Sequence, residues 1–247
     1  MKIADILDIL NGIAPFEKAE DYDNVGLLVG RSDRDAVNIL FTLDMTRAVL
    51  KEAKERGAEL IVAHHPVMFR GTKELTDRSA AGDMLLEMAE SGIAYIAMHT
   101  NYDAMPDGVN ECLARTLGAG EMIALESGLH LFDTGDVTFA AFCDRARESL
   151  RGAVRAYGDG DRIVRRAAVM GGSGASYAAE ALENGADVFL TGEISYHKAL
   201  ELSEEGLCVA EAGHYETERG AVKVLAERVR LAAGGQVRVL LSRSLDR

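Results

Sequence analysis

Short apolar runs alternate with amphipathic segments along the first half of the chain. The runs have the length of buried strands, whereas the segments between them place apolar residues three and four positions apart, as amphipathic helices do. Thr46 is a plausible N-cap, and Gly57 and Gly92 follow helical segments at the position where helices commonly end. This alternation predicts an α/β fold with a mainly parallel sheet. The predicted strands are 25–29, 38–43, 59–63 and 93–98, and the predicted helices are 46–56, 79–91 and 108–117.

The second half begins with shorter apolar runs and then returns to the same alternation. A stretch at 137–142 reads as a strand, and a helix is predicted near 144–151. We place the join between the halves at 121–127, which divides the chain into residues 1–125 and 126–247, with the alternative that the terminal elements pack on the first half. Further strands are predicted at 131–132, 154–157, 163–170, 186–190, 207–210 and 237–241, and the longest helix at 215–231.

The two halves share a pattern of glycine, histidine and acidic residues. Each has a helix that ends in Gly-Ala-acid and leads into a buried strand. Aligning the halves on these glycines pairs His64 with Gly192. The next residue, His65, is paired with Glu193. The sequence therefore predicts two similar α/β halves, an internal duplication, with sheets flanked by helices.

A second shared pattern is a histidine followed four residues later by a carboxylate. It occurs after a predicted strand in each half, as His99 with Asp103 and as His214 with Glu218. On a helix this spacing places both side chains on one face. Imidazole and carboxylate together suit Zn, Mn, Fe or Ni, and carboxylates can bridge two ions. The candidate set is His64, His65, His99, Asp103, His214 and Glu218.

Other readings of these residues stay open. Any one histidine taken alone is more often a cap or a buried hydrogen-bonding group than a metal ligand. His130 lies outside the pattern and is expected to be structural or exposed, whereas His197 is either at the rim of the site or on a helix surface. The loop 171–174 is either a phosphate cradle at a helix N-terminus or a plain tight turn. Its lack of a Walker lysine favours the tight turn.

Charge and cysteine content narrow the function classes. The formal net charge is −13, which disfavours nucleic-acid binding because phosphate contacts need clustered Lys and Arg. Three cysteines without a Cys-x-x-Cys pair indicate neither a disulfide framework nor a thiolate zinc site. The N-terminal segment reads as an amphipathic helix rather than a signal peptide, and no apolar run predicts a membrane span. We expect a cytoplasmic protein without membrane or nucleic-acid partners.

Several motifs together resemble the Nif-three-like family, often labelled GTP cyclohydrolase I type 2. The resemblance runs in order from end to end, and the length resembles the short form, without the domain inserted in longer members. Tyr22 departs from the family pattern, where Trp is common, and Tyr102 stands where many members have Leu. The motifs are Asp-Asn-Val-Gly-Leu at 23–27, Leu-Asp-Met-Thr at 43–46, His-His-Pro-Val-Met-Phe at 64–69, His-Thr-Asn-Tyr-Asp at 99–103, Gly-Gly-Ser-Gly at 171–174, Gly-Glu-Ile at 192–194 and Gly-His-Tyr-Glu-Thr-Glu at 213–218.

The resemblance implies a dinuclear metal site between the two halves, with two divalent cations per chain. His99 matches a family position that is not usually counted as a ligand, and we expect it to orient Asp103 or substrate. The resemblance also implies a toroidal homohexamer. The implied ligands are His64, His65 and Asp103 of the first half and His214 and Glu218 of the second.

The leading functional hypothesis is a metal-dependent hydrolase of the GTP cyclohydrolase type, in which a metal-activated water attacks a small-molecule, possibly nucleotide, substrate. Glu193 is the first candidate for the general base and His99 the second. Tyr102 and Tyr215 flank the site and are candidates either for stacking on a base or for core packing. Two alternatives remain: a metal-binding chaperone or scaffold without turnover, and a phosphoesterase that uses the same ions.

Overall fold

The computed structural model describes residues 1–246 of the 247-residue chain. No helix in this range combines the length and the apolar character needed to cross a bilayer. In chain order, the strands are β1 (Gly26–Val29), β2 (Asn38–Thr42), β3 (Leu60–Ala63), β4 (Ala94–Ala97), β5 (Met122–Ala124), β6 (His130–Thr138), β7 (Arg155–Tyr157), β8 (Ile163–Met170), β9 (Val188–Thr191), β10 (Cys208–Glu211) and β11 (Arg238–Leu241). The α-helices are α1 (Ile3–Ile13), α2 (Arg47–Glu55), α3 (Ala80–Glu90), α4 (Thr100–Asp103), α5 (Val109–Thr116), α6 (Phe139–Leu150), α7 (Ala178–Glu183), α8 (Tyr196–Glu204) and α9 (His214–Ala232).

The chain forms a mixed α/β fold with two sheets flanked by helices, one sheet in each of two compact units. The first unit comprises Met1–Tyr102 and the described residues from Val222 onward, and the second comprises Asp103–Ala221. These limits differ from the predicted division at residue 125. The difference arises because the C-terminal strand β11 pairs in parallel with β2, a long-range contact that no local pattern reveals.

The sheet of the first unit has the strand order β1-β4-β3-β2-β11. Strands β2, β3 and β4 are parallel and buried along most of their length, which explains why they read as continuous apolar runs rather than alternating ones. Strand β1 is antiparallel to β4. The carboxyl ends of β2, β3 and β4 and the start of β1 therefore lie along one edge, which we call the carboxyl edge of the first sheet.

The sheet of the second unit has the order β5-β6-β8-β9-β10-β7, with β8, β9 and β10 parallel. Both of its faces are buried. Val188 and Leu190 of β9 belong to one apolar cluster, whereas Phe189 between them belongs to another. Such alternation is expected because successive strand residues point to opposite faces. The loops after these three strands form the carboxyl edge of the second sheet.

The strand predicted at 137–142 is wrong. Strand β6 ends at Thr138, and helix α6 begins at Phe139. The Thr138 hydroxyl accepts a hydrogen bond from the Ala141 amide and caps the helix. Phe139, Phe142 and Cys143 are then buried at helical spacing, a periodicity that their apolar character concealed. The expected join at 121–127 likewise contains strand β5, which pairs with β6.

A buried carboxylate fastens the C-terminal segment to helix α2 of the first unit. Glu52 is only 6% exposed and accepts hydrogen bonds from Arg56 Nη1 (2.7 Å), Ser242 Oγ (2.9 Å) and the Arg243 amide (3.1 Å). Burial favours the neutral carboxyl, but these hydrogen bonds outweigh burial and lower the pKa of Glu52. The ionised form is therefore the one that the fold stabilises.

Replacing Glu52 by alanine is expected to lower the free energy of unfolding by about 1–2 kcal/mol, because several charge-assisted hydrogen bonds are lost. Because folding lowers the pKa of Glu52, its carboxylate stabilises the folded protein at pH values above 4.5, the pKa that the group has in the unfolded chain. That contribution disappears as the pH falls through the folded value, so the two proteins should converge in acid. Urea unfolding at pH 7 and at about pH 3 measures both effects.

The matched control is Glu55→Ala in the same helix. Glu55 is about half exposed, and within residues 1–246 it forms only long ion pairs, at 3.9 Å to Lys51 and 3.8 Å to Arg243. Its replacement should change stability by less than about 0.5 kcal/mol. Equal losses in the two variants would contradict the role assigned to Glu52.

Candidate metal centre

Three histidines meet at the carboxyl edge of the first sheet. His64 and His65 directly follow β3, and His99 lies two residues after β4, the neighbouring strand. One ligand atom from each of the three lies within 4.8 Å of the others. The ring centroids are 4.9 to 5.5 Å apart. We call these residues the three-histidine group.

Each ring of this group has its Nδ1 within hydrogen-bond distance of an oxygen that can only accept. A neutral ring in this position carries its proton on Nδ1, which directs the lone pair of Nε2 away from the acceptor. Metal-binding histidines commonly have this arrangement. The acceptors are the Met98 carbonyl for His64 (2.7 Å), Asp44 Oδ1 for His65 (2.7 Å) and Asp23 Oδ1 for His99 (2.8 Å).

Asp23 has a fully buried side chain just before β1, on the same edge as the histidines. Besides His99, its carboxylate accepts from the Thr100 amide (3.0 Å), the Thr100 hydroxyl (2.5 Å) and the Asn24 amide (2.7 Å). Burial would raise the pKa of Asp23, but the hydrogen bonds from His99 and Thr100 prevail and hold it well below its usual range. Asp23 is thus an ionised anchor for the His99 ring.

The second unit carries a group of its own at the carboxyl edge of its sheet. His214 begins α9 directly after the β10 loop, and its Nε2 lies 3.1 Å from Oε2 of the buried Glu218. Its Nδ1 lies 3.3 Å from Oε1 of Glu193, which follows β9. We call Glu193, His214 and Glu218 the acid–histidine group. His214 thus has one ring nitrogen beside a candidate ligand and the other beside an orienting carboxylate.

Glu193 is itself held in place. The Ser173 hydroxyl donates to its Oε2 at 2.8 Å, and the Glu193 amide donates to the Gly172 carbonyl at 2.9 Å. The hydrogen bond from Ser173, together with the neighbouring His214, lowers the pKa of Glu193 against the opposing effect of burial. Glu193 is consequently a carboxylate at neutral pH.

The loop 171–174 is built as a tight turn in this fold. Three of its four backbone N–H groups are used internally: Gly171 donates to Asn110, Gly172 to Thr217 and Gly174 to Thr191. A phosphate cradle needs such groups directed at the ligand. Gly172 has a φ of +57°, and a Cβ there would lie 2.2 Å from Glu218 Oε1. The glycine therefore makes room for the acid–histidine group.

The remaining candidates are placed as follows. Asp103 lies half-buried at the end of α4, four residues after His99. His130 is 2% exposed, and its Nδ1 lies 2.9 Å from the Gly128 carbonyl. Its role is therefore structural. His197 is exposed on α8, its ring centroid 5.3 Å from that of Tyr196. Tyr102 is buried, which leaves core packing as its role.

Sequence reasoning missed Asp23 and Asp44 as partners of His99 and His65. Both residues lie in quoted motifs at strand ends, and a carboxylate at the carboxyl edge of a parallel sheet is the signal that points to them. The donor set of the two groups, imidazole Nε2 and carboxylate oxygen, fits Zn, Mn, Fe or Ni. The chain can therefore offer metal ligands from each unit.

The chain is similar over nearly its whole length to proteins of known sequence and structure. A Clostridium perfringens protein named GTP cyclohydrolase 1 type 2 homolog is 32% identical, covering 98% of this chain and 97% of the relative. The crystal structure of a Staphylococcus aureus hypothetical protein matches with a TM-score of 0.91 at 29% identity, covering 98% of this chain and 96% of that one.

A Bacillus cereus protein related to NIF3 shares the fold, with a TM-score of 0.93 at 20% identity over 98% of this chain and 97% of that one. The sequence also matches the family described as Duf34/NIF3 (NGG1p interacting factor 3) over residues 1–246. The match covers both units and every candidate ligand, and the chain belongs to the Duf34/NIF3 family.

Proposed function

We propose that this protein is a hydrolase that depends on two divalent metal ions and acts on a small-molecule substrate of the nucleotide class. The ligands in this proposal are those implied by the family resemblance: His64, His65, Asp103, His214 and Glu218. The substrate class follows the name of the relatives, GTP cyclohydrolase 1 type 2 homolog.

The observation that carries the proposal is the common orientation of four histidines. His64, His65, His99 and His214 each have Nδ1 beside an oxygen acceptor from the same unit. The structural histidine His130 shares this arrangement, so the orientation supports metal binding only where ligand atoms also converge. They do so in the three-histidine group, where one ligand atom from each ring lies within 4.8 Å of the others, and metal ligands are commonly fixed in this way. The pattern supports a site in which Nε2 is the ligand atom of His64, His65 and His214, with the Nε2 of His99 beside those of His64 and His65.

A four-stranded part with the same order and directions in both sheets supports the proposed duplication. An antiparallel edge strand precedes three parallel strands as β1-β4-β3-β2 in one unit and as β7-β10-β9-β8 in the other. Residues of the candidate site follow corresponding strands in the two sheets, because His64 and His65 come after β3 and Glu193 comes after β9. His99 and His214 likewise follow β4 and β10.

The chain's own residues have separable roles in this proposal. Bound divalent ions would supply a water of lowered pKa and a positive charge that polarises the substrate. Glu193 orients His214 through Nδ1, and its lowered pKa makes it a weak base. His99, fixed by Asp23, is the better placed group to move a proton at Nε2. We therefore assign positioning to Glu193 and proton transfer to His99.

The test combines metal repletion with nucleotide turnover. Chelator-stripped protein is loaded with Zn²⁺, Mn²⁺, Fe²⁺ or Ni²⁺ separately and assayed for GTP consumption. We expect turnover only with a divalent ion, and we expect Glu218→Ala to reduce it to the level of the stripped protein. Glu227→Ala, an exposed acid-to-alanine change in the same helix, serves as the control and should retain full turnover.

Two results would contradict the proposal. A protein that holds about two ions per chain without turnover of any nucleotide would be a metal-binding module. Turnover that persists in the stripped protein would remove the metal from the reaction. Hydrolysis of generic phosphate esters in place of GTP would change the assigned substrate to that of a phosphoesterase.

A further inference from the structure

Two exposed aromatic side chains stand beside the three-histidine group. Tyr22 is 63% exposed and Phe69 is 44% exposed, with their ring centroids 6.2 Å apart and the ring planes tilted by 54°. The Phe69 ring also lies edge-on to the His99 ring, with centroids 6.0 Å apart and an interplanar angle of 83°. The aromatic pair is therefore continuous with the candidate metal ligands. We call Tyr22 and Phe69 the aromatic platform.

One hydrogen bond joins the two loops that carry the platform, and a second fixes the turn beside Tyr22. The Asn24 side-chain amide donates to the Met68 carbonyl at 2.5 Å, which joins the loop of one ring to the loop of the other. Asp23, next to Tyr22 in the chain, anchors His99 at 2.8 Å. The same short turn thus orients a site histidine and presents an aromatic ring. A surface fixed in this way loses little conformational entropy when a ligand binds.

The aromatic residues first considered for stacking do not serve this purpose as well. Tyr102 is 1% exposed and belongs to the core. Tyr215 is half-buried, with the Arg219 guanidinium 5.3 Å from its ring centroid. The platform residues instead present exposed ring surface to solvent. Large aromatic groups grouped on a surface beside polar residues commonly mark a binding site.

The chemistry of the platform points to a planar ring. Its two side chains carry no charge and offer ring faces and edges, which suit stacking and edge-to-face contacts. Aromatic surfaces of this kind bind bases with little dependence on base identity, because every base has a π-face. Such surfaces therefore recognise the base of a nucleotide rather than its sugar or its phosphate.

We infer that the aromatic platform binds the planar heteroaromatic ring of the substrate, beside the metal ligands that act on it. The inference rests on the proposed function, since it places a substrate at that site. It adds to that function the two residues that recognise the nucleobase-like ring of the substrate.

The absence of tryptophan from the chain allows a direct test. Tyr22→Trp introduces a single tryptophan into the platform, and its emission reports a ring stacked against it. Chelator-stripped and Mn²⁺-loaded protein are titrated with guanosine 5′-monophosphate and with ribose 5-phosphate, which lacks the base. We expect saturable quenching by the nucleotide alone. Adding Phe69→Ala should weaken nucleotide binding by at least about fivefold.

Tyr196→Ala is the matched control for these titrations. Tyr196 is 60% exposed and pairs with Tyr157 at a centroid distance of 6.2 Å, so it reproduces the exposure and pairing of the platform without its histidines. Its replacement should leave nucleotide affinity unchanged. Calorimetry on the chain that retains Tyr22, with and without Phe69→Ala, checks that the tryptophan itself has not created the site.

Three results would overturn the inference. Equal affinity for the nucleotide and ribose 5-phosphate would show that the base is not recognised, and unchanged affinity in Phe69→Ala would exclude the platform. If Phe69→Ala changes the oligomeric state in sedimentation but not nucleotide affinity, the surface is an interface between copies of the chain. Nucleotide binding is also measured without metal. Recognition of the base can therefore be confirmed or excluded whether or not the protein shows metal-dependent turnover.

Discussion

Replacing His65 by alanine is expected to weaken divalent-metal binding by at least about 100-fold, because the variant loses a ligand whose orientation is fixed by Asp44 at 2.7 Å. His65 is partly exposed, so its loss should disturb the metal-free fold little. Competition titration against a chelator of known affinity measures the change. Thermal unfolding of the metal-free proteins should give similar midpoints.

His197→Ala provides the matched control for this experiment. His197 is an exposed histidine in helix α8, outside both groups, and its removal should leave metal affinity unchanged. Equal affinity of His65→Ala and the unaltered chain would contradict the assignment of His65 as a ligand. Equal weakening in both variants would show that the assay reports surface histidines rather than a site.

Replacing Gly192 by alanine is expected to destabilise the protein by about 3 kcal/mol, at the upper end of the range for overpacking. An added Cβ would lie 2.6 Å from the Gly172 carbonyl oxygen, 2.8 Å from Thr217 Oγ1 and 2.9 Å from the His214 Cα. Two of these three atoms belong to the backbone and cannot rotate away. Because the displaced segments carry the acid–histidine group, metal affinity should fall as well.

Gly220→Ala is the control for this substitution. Gly220 lies in helix α9, and a Cβ there would meet nothing within 4 Å. Alanine is the better helix former, so this variant should gain about 0.5–1 kcal/mol. Urea unfolding of both variants provides the comparison. A Gly192→Ala protein as stable as the parent would refute the account of crowding at this position.

Gly192 also shows what the sequence alone leaves unexplained. Aligning the halves paired it with His64, and the pattern offered no reason for a glycine opposite a histidine. In the second unit the Gly172 loop and the first residue of α9 pack against this position, which leaves no space for a side chain. The requirement arises from packing between distant segments, and local periodicity carries no information about it.

Much of the parallel-sheet framework was predictable because its strands are buried and end in glycine or polar loops. The prediction of a strand at 59–63 matches β3, Leu60–Ala63, and Thr46 caps α2 as expected. Helix α6 was misplaced because Phe139 and Phe142 are apolar in either conformation. The position of β11 in the first sheet depends on pairing with a strand about two hundred residues earlier, so it could not be read from local sequence.

The candidate site was only partly predictable for a related reason. His99, His214 and Glu218 were identified because the spacing from histidine to acid after a buried strand repeats, whereas His64 and His65 are an adjacent pair at the end of a predicted strand. Asp23 and Asp44 were not assigned roles, since a carboxylate in a polar loop resembles any solvated acid until the fold places it. Their hydrogen bonds to His99 and His65 are what distinguish them.

Metal analysis of the purified protein determines whether the chain holds a pair of divalent metal ions. The unaltered chain, stripped and then repleted with Zn²⁺ or Mn²⁺ and freed of excess ion, is quantified by inductively coupled plasma mass spectrometry against protein concentration. We predict about two ions per chain, the number that a two-metal hydrolase requires. Less than one ion per chain after repletion would contradict the dinuclear site.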